Sequence, residues 1–377
     1  MTYDGEARRD TPLALELKER IRAEGPVTVA EFMRMCLQDP DHGYYRARRA
    51  IGAGGDFVTA PEISQVFGEL IGLWCAVVWR QMGAPKSFSL VELGPGRGTL
   101  MADALRAVRI VPGFLDAADV VLVEISETLA AQQRGALAGT QARVSWAEGL
   151  AAVDRTRPAI IVGNEFLDAL PASQWVVAAD GLHARTVALD EAGRLVFAHA
   201  RERIAHASAG APDVAHGRPG DILEGRDVTA LTRDLQALME GPGAAALFID
   251  YGHTETAAGD TLQAVRAHRH EHPLCSPGEA DLTTHVDFAA LVRPFRGRFG
   301  VDGPVTQAEF LGALGIVERA SRLMSANPQR AGEIEIAAAR LMAAPGMGTR
   351  FKAIGLRSSG LPALPGLSRV DKTTHGS

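Results

Sequence analysis

From Phe88 onward the chain repeats one pattern: a short, nearly unbroken apolar run, then a stretch with helical spacing. "FSLVEL" precedes "GTLMADALRAVRI", and "VVLVEIS" precedes "ETLAAQQRGAL"; "ARVSW", "AIIVGNEF" and "GAAALFIDYG" follow as third, fourth and fifth apolar runs. Strands without apolar/polar alternation have both faces covered, and strands that alternate with helices pair in parallel through crossovers that supply the cover. The pattern predicts an α/β fold with a doubly wound, mostly parallel sheet.

The rest of the chain is arranged around that sheet. Residues 12–38 show apolar positions at helical spacing interrupted by Gly25-Pro26, which predicts two helices and a turn. A glycine-rich stretch, "GAGGDFVTAPEIS", leads into a strongly apolar helix from Val66 to Met82. Between the fourth and fifth runs, "QWVVAADGLHARTVALDEAGRLVFAHA" alternates and turns at Asp180-Gly181 and Ala192-Gly193, the pattern of inserted β-hairpins. The expected boundaries are 1–85 for an N-terminal helical region with a loop that lids the cofactor, 86–173 for the first half of the sheet, 174–230 for the hairpin insertion, 231–357 for the second half with helices and one late strand, and 358–377 for a loose tail.

Composition excludes several classes of function. With a net charge of -6 the 377-residue chain has no global basic field for a nucleic-acid backbone, so no nucleic-acid partner is expected. The Val66–Met82 segment is short for a bilayer and carries Glu69, so no membrane insertion is expected either. Cys36, Cys75 and Cys275 are far apart and odd in number, which reads as reduced, packed thiols of a cytoplasmic protein; the N-terminus lacks the features of a signal or transit peptide. "HRHEH", His268–His272, lacks the spacing of a zinc helix and reads as a loop, so no metal is expected.

The first strand-to-helix turn, "ELGPGRGT", carries the main functional signal. At the carboxyl end of a strand in a doubly wound sheet, Gly94, Gly96 and Gly98 let a ligand lie against backbone beside a helix N-terminus. The spacing is G-x-G-x-G with Thr99 next, which departs from the dinucleotide G-x-G-x-x-G, and no Lys-Ser or Lys-Thr pair follows as in a phosphate loop. Glu92 just before the turn suits an amine better than a pyrophosphate. Glu124 ends the second apolar run, where a carboxylate accepts from both hydroxyls of a ribose. S-adenosylmethionine offers an amine, a ribose diol, an adenine and a sulfonium, with no phosphate. Trp146 is available to lie along the adenine or to serve in the core. Phe57, Thr59 and Pro61 are candidates for a loop over that cofactor.

Reactive groups cluster in "GNEFLDALP", where Asn164, Glu165 and Asp168 stand between apolar neighbours at the end of the fourth run. Glu62 is a further candidate, though an acid early in a helix also suits the dipole. Asp250, Tyr251 and His253 end the fifth run, and Glu279, Asp281, His285 and Asp287 form another polar group, which reads equally as a helix start capped by Asp281.

Taken with "VAEFMRMCLQDPDHGYY", "GDFVTAPEISQVFGELIGLW", "FIDYGH" and "HRHEHPLCSPGEADLTTHVDF", in this order along most of the chain, these motifs resemble the MidA family. Mitochondrial members of that family are complex I assembly factors that act as protein arginine methyltransferases. The resemblance implies a class I, Rossmann-like methyltransferase fold with an added helical part, and S-adenosyl-L-methionine as cofactor. It also implies a protein partner as substrate, with Gly94, Gly96 and Gly98 as the cofactor turn, Glu124 as ribose ligand, and Asn164 and Glu165 nearest the reacting methyl. Glu165, Asn164, Asp168 and Glu62 are then the expected catalytic residues. Glu92, Gly94, Gly96, Gly98, Thr99, Glu124, Trp146, Asn164, Phe57, Thr59 and Pro61 are the expected cofactor ligands. A small-molecule methyltransferase and a non-catalytic assembly chaperone are the alternatives, and the hairpins are available to cap the site or to form a homodimer.

Overall fold

In the computed structural model, which describes residues 7–45, 59–204, 217–344 and 346–368, the first apolar run becomes strand β1 (Phe88–Leu93), buried at all six positions. The runs after it become β2 (Ala118–Val123), β3 (Arg143–Ala147), β4 (Ala159–Asn164) and β5 (Ala244–His253). Two further strands, β6 (Gly300–Thr306) and β7 (Phe351–Arg357), extend the sheet. Its order is β3-β2-β1-β4-β5-β7-β6. The first five strands pair in parallel, whereas β7 runs antiparallel to both β5 and β6. The order reverses between β1 and β4, so the crevice at their carboxyl ends is where a doubly wound sheet receives its ligand.

These strands belong to one of two compact units, formed by residues 59–167, 231–254 and 291–377. Helix α1 (Ala60–Ile63) and helix α2 (Gln65–Gln81) precede β1, while α3 (Thr99–Ala107) follows it and α4 (Glu127–Leu137) follows β2. The apolar segment read as one helix therefore starts at Gln65. Ser64, in extended conformation, separates it from α1, and its hydroxyl caps α2 by accepting from the Val66 N–H. Side chains of α2 and α3 fill the core under the sheet, among them Phe67, Trp74, Leu100 and Met101. Glu69, inside α2, is buried between Arg106 and Arg319 at 3.1 and 2.7 Å.

The other unit comprises residues 1–58, 168–230 and 255–290. Its helices Pro12–Glu24 and Val29–Gln38 are the two expected on either side of Gly25-Pro26; the first ends at Gly25, whose φ of 94° favours glycine. A capping box between Thr28 and Glu31 starts the second. The hairpin insertion forms an antiparallel sheet of Ala172–Ala178, Gly181–Leu189, Leu195–Ile204 and Ile222–Arg226, extended by the two residues Val27–Thr28. Phe32, Met33, Val187 and Leu274 share its core. Of "HRHEH", only His268 lies in the tight turn; Arg269–Glu271 form a strand rather than a loop, paired antiparallel with Gln263–Arg266.

Two expectations need correction. Asp281 lies in a strand, Asp281–Thr283, and it is Asp287 that accepts from the Ala290 N–H at the start of the following short helix. The stretch 358–368, read as a loose tail, is packed: Leu364 and Leu367 are buried in the sheet unit's core, and the Pro365 carbonyl accepts from the Trp74 indole at 3.1 Å.

Candidate active site

At the end of β1 the backbone turns through Gly94, Gly96 and Gly98 with φ of 61°, 54° and 83°. A side chain at Gly94 would meet the Phe166 ring at 3.0 Å, so the turn is both left-handed and crowded. Gly98 is the N-cap of α3 and provides no side-chain hydrogen bond to the helix's first N–H groups. Those groups are the donors such a turn presents to an acceptor.

Two buried polar atoms flank the turn without a partner among the described residues. One is the Glu92 Oε2 at the end of β1; the other is the Asn164 Oδ1 at the end of β4. Burial pushes the Glu92 carboxyl up to about 8, and burial followed by the nearby Glu92 raises the Cys75 thiol. An unsatisfied buried acceptor is costly unless a ligand supplies the donor. Two such acceptors beside a glycine turn fit a cationic amine, and S-adenosylmethionine carries one.

Across the turn, Glu124 is held by the Ser126 N–H at 2.7 Å on one carboxylate oxygen and by the Gln133 amide at 3.0 Å on the other. A carboxylate has about four acceptor directions, so these bonds orient it and still allow it to accept from a ribose diol. Trp146, half-buried, donates its indole N–H to Gln133 at 2.8 Å, and the Arg134 guanidinium lies 5.1 Å from its ring centroid. Its ring is thus fixed against α4 while packing on the margin of the core.

Glu165, next after β4, takes a φ of 50°, which is unusual for a residue with a side chain. Its N–H donates to the Ile249 carbonyl, and its Oε1 accepts from the Ala60 N–H at 2.8 Å and from Asn164 Nδ2 at 3.3 Å. Helix α1 is thereby tied to the end of β4. The same helix reaches the glycine turn through Glu62, which accepts from the Thr99 hydroxyl at 2.5 Å and faces Arg97 at 3.8 Å.

The structure thus collects Glu62, Glu92, the three glycines, Thr99, Glu124, Trp146, Asn164 and Glu165 in one unit. Thr59 caps α1 without a side-chain bond, and Pro61 is buried in its first turn. Phe57 lies outside the described residues. Asp168 belongs to the other unit, where its carbonyl accepts from Arg226 and Thr284; there burial, then Asp281, then Asp168 raise the Tyr45 hydroxyl well above its ordinary range. Asp250 is committed to backbone, its oxygens accepting from the Leu167 and Tyr251 N–H groups. Sequence reading missed Gln133 and Phe166. Gln133 left a signal, since it falls on the buried stripe Leu129, Gln133, Leu137 of α4 at a spacing of four, where an apolar residue belongs. Among the described residues no helix is long and apolar enough to cross a membrane.

Residues 70–305 match a family described as S-adenosyl-L-methionine-dependent methyltransferases. The mitochondrial protein arginine methyltransferase NDUFAF7 of Danio rerio is 34% identical over 82% of this chain and 78% of its own. The protein of that name in Homo sapiens is 34% identical over 83% and 76%. A crystal structure of a Burkholderia thailandensis protein bound to S-adenosyl-homocysteine superposes with a TM-score of 0.80 at 29% identity, covering 96% of both chains.

Proposed function

The chain belongs to this S-adenosyl-L-methionine-dependent methyltransferase family, the MidA type that includes the NDUFAF7 proteins, and from that premise we propose that it methylates an arginine side chain of a protein partner. The observation that carries the reading is Glu165, an acid held in a left-handed conformation at the end of β4, beside the crevice where the sheet order reverses. Glu92, Asn164, Glu124, Trp146 and the turn from Gly94 to Thr99 would hold the cofactor, with Phe57, Thr59 and Pro61 as further candidates. Bound there, it supplies an electrophilic methyl on a sulfonium.

The residues then have to align an acceptor and keep water out. An arginine is charged at any ordinary pH, so its nitrogen becomes a nucleophile only where carboxylates bind its other N–H groups and draw the charge toward them. Glu165 is assigned that role and accepts the proton released as the new N–C bond forms. Asn164 fixes the Glu165 carboxylate through its amide, Glu62 is the second acid, and Asp168 follows as a candidate from its place in the same motif. The family resemblance favours a subunit of respiratory complex I as acceptor. The cytoplasm is the proposed compartment, in keeping with three buried, unpaired cysteines.

The test is methyl transfer from labelled cofactor into a cell lysate, followed by mass spectrometry of the labelled proteins. Label on arginine is expected. Glu165→Gln, whose amide oxygen can still accept from the Ala60 N–H, should retain affinity for S-adenosyl-homocysteine and lose about a hundredfold or more in transfer. Label found only on small molecules overturns the protein substrate, and none anywhere favours a non-catalytic scaffold.

A further inference from the structure

We infer that Gln133 is a positioning residue of the cofactor site, one that sets the ribose acid and the aromatic wall against the glycine turn; the inference rests on the cofactor reading above. Its side chain is fully buried, at 0% exposure. Its amide nitrogen donates to the Gly96 carbonyl at 2.8 Å and to Glu124 Oε2 at 3.0 Å, and its amide oxygen accepts from the Trp146 indole at 2.8 Å. A side chain built on Gly98 would meet the Cα and Cγ of Gln133 at 3.4 Å, so the turn also packs directly on this residue. One side chain therefore touches the glycine turn, the ribose acid and the aromatic ring of the proposed site.

Its chemistry admits few substitutes. A carbonyl and a carboxylate need donors, and an indole N–H needs an acceptor, so the orientation of the amide is fixed by its three partners. Glutamate offers no donor when ionised, lysine no acceptor, and methionine of similar length no donor and only a weak acceptor. A residue meant only to fill the helix face would be apolar, as Leu129, Ala130 and Leu137 are on the same stripe. Burying an amide there is favourable only because all three bonds are made.

The consequence is local pre-organisation. Ser126 and Gln133 together fix both oxygens of Glu124, while Gln133 and Arg134 fix the edge and one face of Trp146. Without Gln133 the acid and the ring each regain rotamer freedom that cofactor binding must then remove.

Calorimetric titration with S-adenosyl-homocysteine tests this on wild type, Gln133→Met, Gln133→Glu and Trp146→Phe, with circular dichroism to verify folding. Gln133→Met should weaken binding about ten- to a hundredfold. Gln133→Glu should bind more weakly still at pH 8, where it sets a carboxylate against Glu124, and should recover toward pH 5 as the two acids share a proton. Arg134, the other charged group beside Trp146, stays ionised across that range, and Glu92, pushed up to about 8, gains charge toward pH 8 and would strengthen amine binding there, so neither mimics the recovery. Trp146→Phe keeps an aromatic ring but removes the indole donor and part of the ring area; it should cost about three- to tenfold and serves if the Gln133 variants misfold. Folded variants that bind within about twofold of wild type at both pH values overturn the role of Gln133. A wild type that does not bind overturns the cofactor reading itself, and the inference with it.

Discussion

Glu92 combines a proposed place in the cofactor site with a stability cost in one side chain. Its buried carboxyl titrates near 8, against 4.5 for an ordinary glutamate, because burial penalises the charged form. In the cofactor-free protein the folded state therefore keeps a proton that the unfolded state releases. Stability from this group is fully present below about 4.5 and is lost as pH rises through about 8. Glu92→Gln should flatten that slope, making the thermal midpoint of the free protein higher than wild type at pH 8 and close to it at pH 5; equal slopes would contradict the account. The acid before the turn, the glycines and Glu124 were legible in sequence because each is a departure from the apolar pattern around it. Glu165 was legible as an acid but not as a left-handed residue, since the groups that hold it, the Ile249 carbonyl and the Ala60 N–H, lie far away in the chain. Gln133 was overlooked because it looks like any helix-surface residue until its neighbours Leu129 and Leu137 are seen to be buried.

At the scale of elements, the turn is only as well placed as α3, and α3 is set by its contact with α2. Gly68 and Gly72 let the two helices meet backbone to backbone. A side chain at Gly72 would lie 2.5 Å from the Ala104 carbonyl oxygen and 2.6 Å from its Cα, where no flexible atom can move aside. Gly72→Ala should cost about 1–3 kcal/mol in urea unfolding, despite the better helix propensity of alanine. It should also weaken S-adenosyl-homocysteine binding, because α3 begins at Thr99, where the turn ends. An unchanged unfolding midpoint would mean that the helices slide apart freely. Strands β1, β4 and β5 were readable because two-sided burial leaves nearly unbroken apolar runs, whereas the edge strand β3 has no buried position. Strand β6, "GVDGPVT", was not, since it contains two glycines and a proline and owes its pairing to β7, with an irregularity between Asp302 and Val305.

Over the whole molecule, the split into two units could not be read from local pattern. The two N-terminal helices, the hairpin insertion and residues 255–290 are far apart in sequence yet share one unit, through pairings such as Val27 with Val187. The sheet order is the whole-molecule fact that locates the site, because it puts the ends of β1 and β4 side by side at the reversal. The central claim is that this crevice holds S-adenosylmethionine, with Glu124 on the ribose. Its most direct test is titration of S-adenosyl-homocysteine into wild type and Glu124→Ala, read by calorimetry and by thermal shift. Saturable one-to-one binding is expected, stabilising the wild type by about 2.7 kcal/mol at a hundredfold excess over Kd, with a loss of about tenfold or more in the variant. Heat signals that do not saturate in folded wild type, or a variant that binds as tightly, would contradict it.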